Sequence, residues 1–353
     1  MGAMPSQPRR RARAADVAAA AGVSTTAVSF VLNGRDGGNI SADTKKRILT
    51  EAKRLGYEPN HLARSLRNST THSIGVVTDA VASGPFAGRM LAAAAERAEA
   101  AGHIMLVMDL HNHDDREAAA VHELERRQVD ALIYVSMGYR VLDSAPVSRL
   151  PLVLANCTTD DPAVYSVSPD DAYGAARALH HLADLGHSRI TMLSGHWNPQ
   201  AAPDDQGNVS GPIRSESFLA EARARNVDAD VIVAGWEIRD GYRGALAALD
   251  RPAAERPTAL FAVTDRCAIG AMMAAAQLGL NVPRDVSIVG FDDEEKLAGS
   301  TVPPLTTIAL PHQGMGETAV AMALARAAGE AVDDRQVVLP CELLIRESTA
   351  PPR

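Results

Sequence analysis

Residues 16–33 read DVAAAAGVSTTAVSFVLN. The stretch holds two short apolar runs divided by Gly22, Val23 and Ser24, and neither run is long enough to be a stable helix alone. The first predicts a helix over about 15–21, with alanines spaced for close packing. Gly22 ends it, because glycine takes the left-handed cap at little steric cost. Ser24 then serves as N-cap of a second helix over Thr25–Leu32, whose Ala27, Val28, Val31 and Leu32 follow helical spacing toward a core. Asn33 and Gly34 close it. A third helix follows Ser41, with Thr44, Ile48, Ala52 and Leu55 along one side; Lys45, Lys46, Arg47, Lys53 and Arg54 dress the rest, and Gly56 terminates it. Two helices joined by a glycine turn and braced by a third make a helix-turn-helix, in which a small shared core stabilises each marginal piece.

Such a unit projects the start of its second helix into a major groove. Thr25, Thr26 and Ser29 are polar where base reading needs polarity, Phe30 is placed to press on a thymine methyl, and Asn33 is counted with them. The competing readings are plain surface threonines and a core phenylalanine. Residues 57–73, YEPNHLARSLRNSTTHS, continue with a proline helix start at Pro59, a short helix over about 60–66 and a Ser/Thr linker. Leu62 and Leu66 lie beside Arg64 and Arg67, and an apolar residue on a basic helix can wedge between base steps in a minor groove. Asn60, Leu62, Ala63, Leu66 and Arg67 are the candidate contacts, against the alternative of a simple linker helix.

Charge separates this head from the rest. Residues 1–67 carry twelve Lys or Arg against five Asp or Glu, a surplus of +7, while the remainder carries 23 against 38, or −15. A basic head can hold phosphates while an acidic body avoids wrapping DNA. The Pro- and Arg-rich residues 1–13 read as a disordered lead. There is no apolar h-region and no run of about 18 apolar residues. The expectation is a cytoplasmic protein without membrane contact.

Beyond residue 73 the chain alternates apolar strands with helices: SIGVVTD, HIMLVMD, ALIYVS and LVLAN, then RITMLSG, DVIVAG, ALFAVTD and VSIVGFDD. Two such sets predict two doubly wound lobes of roughly 120 residues each, with ligand sites at the carboxyl ends of the strands around one cleft. Asp79, Phe86, Arg214, Trp236, Asp265 and Asp292 stand at or near strand ends. Carboxylates accept hydroxyl protons, a guanidinium offers a fork of donors, and aromatics cover apolar ring faces, a mix that suits a sugar or nucleoside. Local capping by the aspartates, packing of the aromatics and a surface ion pair for Arg214 are the alternatives. The polar stretch 196–212 reads either as a lid or as an insert. Cys157, Cys267 and Cys341 are too far apart for a metal or disulfide framework and read as buried thiols. His103, His111, His113 and His122 read as solvated. GxxxxGK[ST], GxGxxG after a strand and G-x-S-x-G are all absent, so no cofactor, metal or enzymatic role is expected.

The head and body together resemble the lactose-repressor and purine-repressor (LacI/GalR) family of bacterial transcription regulators. The resemblance rests on DVAAAAGVSTTAVSFVLN, ISADTKKRI, GYEPNHLARSLR, GHSRI, AIGAMMAAAQLGLNVPRDVSIVGFDD, PLTTI and LIREST, in order over nearly the whole chain. It implies an all-α helix-turn-helix head (14–58) with a hinge helix and linker (59–72). These join an α/β periplasmic-binding-protein-like core of two doubly wound lobes (73–349), with a tail at 350–353. The implied N-lobe is about 73–169 and 301–329, the C-lobe about 170–300 and 330–349, with crossings near 169, 300 and 330. The resemblance further implies that the hinge folds on operator DNA with Leu66 opening a central CpG-like step. It implies that Arg214 contacts an effector, and it matches Asp265 and Asp292 to cleft positions. Two positions depart from the family: Phe30 stands where many members hold arginine, and Ser217 replaces the glycine of an Arg-x-x-Gly-Phe turn. The expected protein is a homodimeric repressor of a palindromic operator, answering to a sugar or nucleoside. The rivals are a solute-binding protein for sugar uptake and, more remotely, a sugar-acting enzyme.

Overall fold

The computed structural model describes residues 12–32, 40–57, 70–80, 88–111, 113–195, 207–294 and 296–353. The chain divides into two compact units, 1–71 and 72–353.

In the first unit α1 (Ala14–Ala21) and α2 (Thr25–Leu32) meet at a bend of 104°, the angular range of a helix-turn-helix. Gly22 makes the corner at φ +67°, its N–H closing on the Ala18 carbonyl. Ser24 Oγ then accepts the Ala27 N–H at 3.1 Å, satisfying a donor the new helix would leave free. Helix α3 (Ala42–Leu55) begins on Ser41, whose Oγ accepts the Thr44 N–H, and ends on left-handed Gly56. The three helices bury Val17, Ala18, Ala21, Val28, Val31, Ile48 and Ala52, with Ala27, Leu32 and Leu55 packed around them. This small core leaves Lys46, Arg47, Lys53 and Arg54 of α3 exposed, with Lys45 half-buried.

The second unit has two six-stranded sheets. One is built from β1 (Ser73–Thr78), β2 (Ile104–Asp109), β3 (Ala131–Leu142), β4 (Leu152–Thr159), β5 (Tyr165–Asp170) and β11 (Gln336–Pro340), in the order β11-β5-β4-β3-β1-β2. The other comprises β6 (Arg189–Ser194), β7 (Asp228–Val233), β8 (Ala259–Ala262), β9 (Ser287–Asp292), β10 (Thr306–Ala309) and β12 (Glu342–Leu344), in the order β12-β10-β9-β8-β6-β7. All pairings are parallel except β10 with β12. Helices α4 (Gly88–Ala100), α5 (Glu117–Arg126) and α10 (His312–Ala327) cover the first sheet. Helices α6 (Asp171–Asp184), α7 (Ser210–Arg225), α8 (Ile238–Leu249) and α9 (Asp265–Gln277) cover the second. Burial on both faces explains the unbroken apolar strands: in β3, Ala131, Ile133 and Val135 join one core while Leu132 and Tyr134 join the other.

The first lobe crossing falls between Asp170 and Asp171, beside the position near 169. The other two come about ten residues later than 300 and 330. Strand β10 stays in the second sheet and α10 returns to the first, so one crossing lies at Leu310–Pro311. Strand β11 belongs to the first sheet and β12 to the second, so the other lies at Cys341. Residues 301–310 therefore belong to the C-lobe and 336–340 to the N-lobe. The three cysteines are buried thiols, as read from the sequence. His103 departs from the solvated reading: its ring packs edge-on against His72 at 5.2 Å and faces Asp130 at 3.5 Å.

Candidate functional site

On the head, Thr25, Thr26 and Phe30 are exposed and Ser29 is half-buried. Phe30 is 47% exposed, which removes the core reading; an apolar ring held out from a helix is suited to a methyl-bearing groove. Asn33, Asn60, Leu62, Ala63, Leu66 and Arg67 lie outside the described residues.

In the second unit a cavity of about 420 Å³ opens between the lobes. Its N-lobe wall comes from a bulge. Strands β3 and β4 pair through Val135 with Ala155 and resume at Arg140 with Cys157, so four β3 residues, 136–139, stand opposite Asn156. Asn156 adopts φ +55° and its Nδ2 donates to the Ser136 and Met137 carbonyls at 3.0 and 3.1 Å. The bulge turns Met137, Gly138 and Tyr139 into the cavity. From the other lobe, the Val209 N–H donates to the Tyr139 carbonyl at 2.8 Å, and Arg140 bridges Asn208. The polar stretch 196–212 thus ends at Val209, since α7 begins at Ser210; residues 196–206 lie outside the described residues.

The C-lobe wall carries the charges. Arg214 sits on the buried stripe of α7 with Ser210, Phe218 and Ala222 and is only 3% exposed. Its Nε and Nη2 bind Asp171 Oδ1 at 2.7 and 2.6 Å, its Nη1 donates to the Val263 carbonyl at 2.6 Å, and its guanidinium lies 3.5 Å over the Phe291 ring. Ser217, the family departure, donates to the Ala172 carbonyl at 2.7 Å and so ties α7 to α6. Asp292 ends β9 at φ +108°, a strained value for a residue with a side chain. Its Oδ1 is buried without a hydrogen-bond donor, with Arg214 Nη1 at 3.6 Å. Burial pushes the Asp292 carboxyl well above the usual carboxylate range, against the pull of Arg214. Trp236 packs over Gly195, where a Cβ would overlap the indole; its carbonyl accepts from Thr264 Oγ1, and its Nε1 is buried without an acceptor. Arg266 grips Glu294 through two bonds of 2.9 and 3.0 Å and Glu237 through one of 3.0 Å.

Of the six body residues expected at a ligand, Arg214, Trp236 and Asp292 line the cavity and Phe86 lies outside the described residues. Asp79 and Asp265 are buried and do not line the cavity. Asp79 closes the end of β1: it accepts from Ser136 Oγ at 2.9 Å and from the Met137 N–H at 2.9 and 3.0 Å, which fixes the β3 bulge. Asp265, fully buried at the start of α9, accepts from Thr307 Oγ1 at 2.5 Å and from the Glu294 N–H at 2.7 Å. Burial raises its pKa to about 7 despite both bonds. Sequence reading missed Asn156, Asp171, Asn208, Ser210 and Arg266 in the lining. Asn156 carried a usable signal, since it closes the apolar run LVLAN at a strand's carboxyl end.

Residues 15–60 match the model of "Bacterial regulatory proteins, lacI family", and residues 179–349 match "Periplasmic binding protein-like domain". The chain is 32% identical over 345 residues to the HTH-type transcriptional regulator DegA of Bacillus subtilis, covering 95% of this chain and 97% of that one. It is likewise 32% identical over 346 residues to the HTH-type transcriptional regulator MalR of Streptomyces coelicolor, covering 96% of each. The solved lac repressor dimer, bound to operator and the anti-inducer ONPF, superposes with a TM-score of 0.77 at 27% identity, over 97% of this chain and all of that one. The chain belongs to the lacI family of bacterial regulatory proteins and is a DNA-binding transcriptional regulator.

Proposed function

We propose that two copies set their α2 helices in successive major grooves of a palindromic operator, and that a sugar or nucleoside in the interlobe cavity sets the affinity of that complex. The observation that carries the effector half is the cavity itself. It is walled by both lobes at strand carboxyl ends, and two of its wall residues carry a buried acceptor, Asp292 Oδ1, and a buried donor, Trp236 Nε1, without a hydrogen-bond partner among the described residues. A hydroxylated ring with an apolar face meets all three features. Because both lobes line the cavity, a ligand that prefers one interlobe angle shifts the population toward it. The DNA half is supported by the exposed Thr25, Thr26 and Phe30 and by the lac repressor, which was solved on its operator. Asn60, Leu62, Ala63, Leu66 and Arg67 complete the proposed DNA contact, with Leu66 as the minor-groove wedge.

Operator titration by fluorescence anisotropy, paired with calorimetry for the ligand, tests this division. Leu66→Ala is expected to weaken operator binding tenfold or more, about 1.4 kcal/mol, with the ligand affinity held. Operator binding equal to the parent's contradicts the wedge.

A further inference from the structure

We infer that the cleft admits uncharged polyhydroxylated ligands and rejects anionic ones such as sugar phosphates, uronates and nucleotides, a refinement that rests on the effector reading above. The described lining holds four carboxylates, Asp171, Glu237, Asp240 and Glu294, and the Asp292 carboxyl that burial pushes toward its neutral form, against two guanidiniums, Arg214 and Arg266. Neither guanidinium offers free charge. Arg214 is clasped by Asp171 at 2.6 Å and Arg266 is held bidentate by Glu294 and again by Glu237. An incoming phosphate would have to break one of these pairs and leave a desolvated carboxylate without its counter-charge.

Helix N-termini, the other anion-binding device of such folds, are already occupied at α6, α8 and α9. Helix α6 starts on Asp170, whose carboxylate accepts the Tyr173 N–H at 2.8 Å, with Asp171 in its first turn. Helix α8 starts on a reciprocal cap between Glu237 and Asp240. Helix α9 carries Asp265 in its first turn. Those three helix ends therefore already face carboxylates of this chain; α7, which also begins on the cavity wall, has no acidic residue in its first turn, and the Asn208 amide oxygen accepts its Ser210 N–H at 3.0 Å. Among the described residues, two buried wall atoms have no hydrogen-bond partner, the acceptor Asp292 Oδ1 and the donor Trp236 Nε1. A hydroxyl, which both donates and accepts, serves either; a phosphate oxygen near pH 7 can only accept.

The test uses the full-length protein and a library of hexoses, disaccharides and ribonucleosides, each beside its phosphate ester or carboxylate counterpart. Melting-temperature shifts find binders and calorimetry measures them. The expected result is an uncharged binder whose anionic counterpart is weaker by about tenfold or more. An anionic counterpart that binds as tightly as its parent, or tighter, overturns this inference and leaves the effector reading standing. No response to any member contradicts the effector reading and this inference with it. The double variant Glu237→Gln, Glu294→Gln strips the counter-charge from Arg266 and is expected to narrow the gap between neutral and anionic ligands. A variant that weakens both by the same factor assigns those glutamates a structural role only and overturns the charge assignment.

Discussion

The two lobes of the core share one strand order, yet they bring opposite chemistry to the cavity between them. The N-lobe offers uncharged groups: the Met137–Tyr139 bulge, the Asn156 amide and Pro169. The C-lobe offers Arg214, Arg266, Asp292, Glu294 and the Trp236 indole. Each lobe also has a buried aspartate at a strand or helix end that looks free in the sequence and is consumed by its own backbone, Asp79 in one and Asp265 in the other. The difference lies in Asp292, which keeps an oxygen without a donor. On the proposed effector reading, the shared fold sets where a ligand would sit, while the distribution of internally satisfied carboxylates sets which lobe would grip it.

The largest effect that would break this contrast is loss of the Arg214–Asp171 pair. Arg214→Ala leaves Asp171 buried without its counter-charge and is expected to destabilise the core by about 3–5 kcal/mol, read by urea denaturation. A cost under about 1 kcal/mol would mean the pair is not the internal anchor of the C-lobe wall. Next comes pH. The folded pKa of Asp265 lies above its unfolded value, so its share of stability is complete below about pH 4 and is lost as pH rises through about 7. Asp265→Asn is expected to flatten the stability profile between those limits. Asp79, also raised by burial but held by more donors, is expected to give a shallower change in the same direction; an equal or steeper slope would erase the distinction between the two lobes. The smallest effect is on the neutral wall. Asn156→Ala removes two bonds that hold the β3 bulge and is expected to weaken ligand binding by about 1 kcal/mol, measured by calorimetry. A loss as large as that from Asp292→Ala would assign the N-lobe an equal share of the grip.

Much of the fold was legible because the periodicities are strong. The 15–21 and 25–32 helices, their Gly22 and Ser24 punctuation and the long buried strands follow from local residue chemistry. Strand β5 was not, because Tyr165–Asp170 reads YSVSPD, half polar, and becomes a strand only between β4 and β11. The late crossings were hidden for a related reason: ALPHQG and LPCELL do not state which sheet receives the chain. At the cavity, strand-end position found Trp236 and Asp292 and the family resemblance found Arg214, but neither could separate Asp292 from Asp265. That separation depends on Thr307 and the Glu294 amide, which lie far away in sequence. Asp171 and Arg266 escaped because their role is to neutralise charge across elements, which no spacing encodes.

The most direct measurement is operator affinity across ligand concentration, for the parent and for Asp292→Ala. The expected result is that the parent's operator affinity changes with a midpoint at the ligand's own Kd, and that Asp292→Ala moves this midpoint upward by about tenfold or more. Operator affinity that stays constant at saturating cleft ligand, or a midpoint indifferent to Asp292, would contradict a regulator whose C-lobe grips the signal.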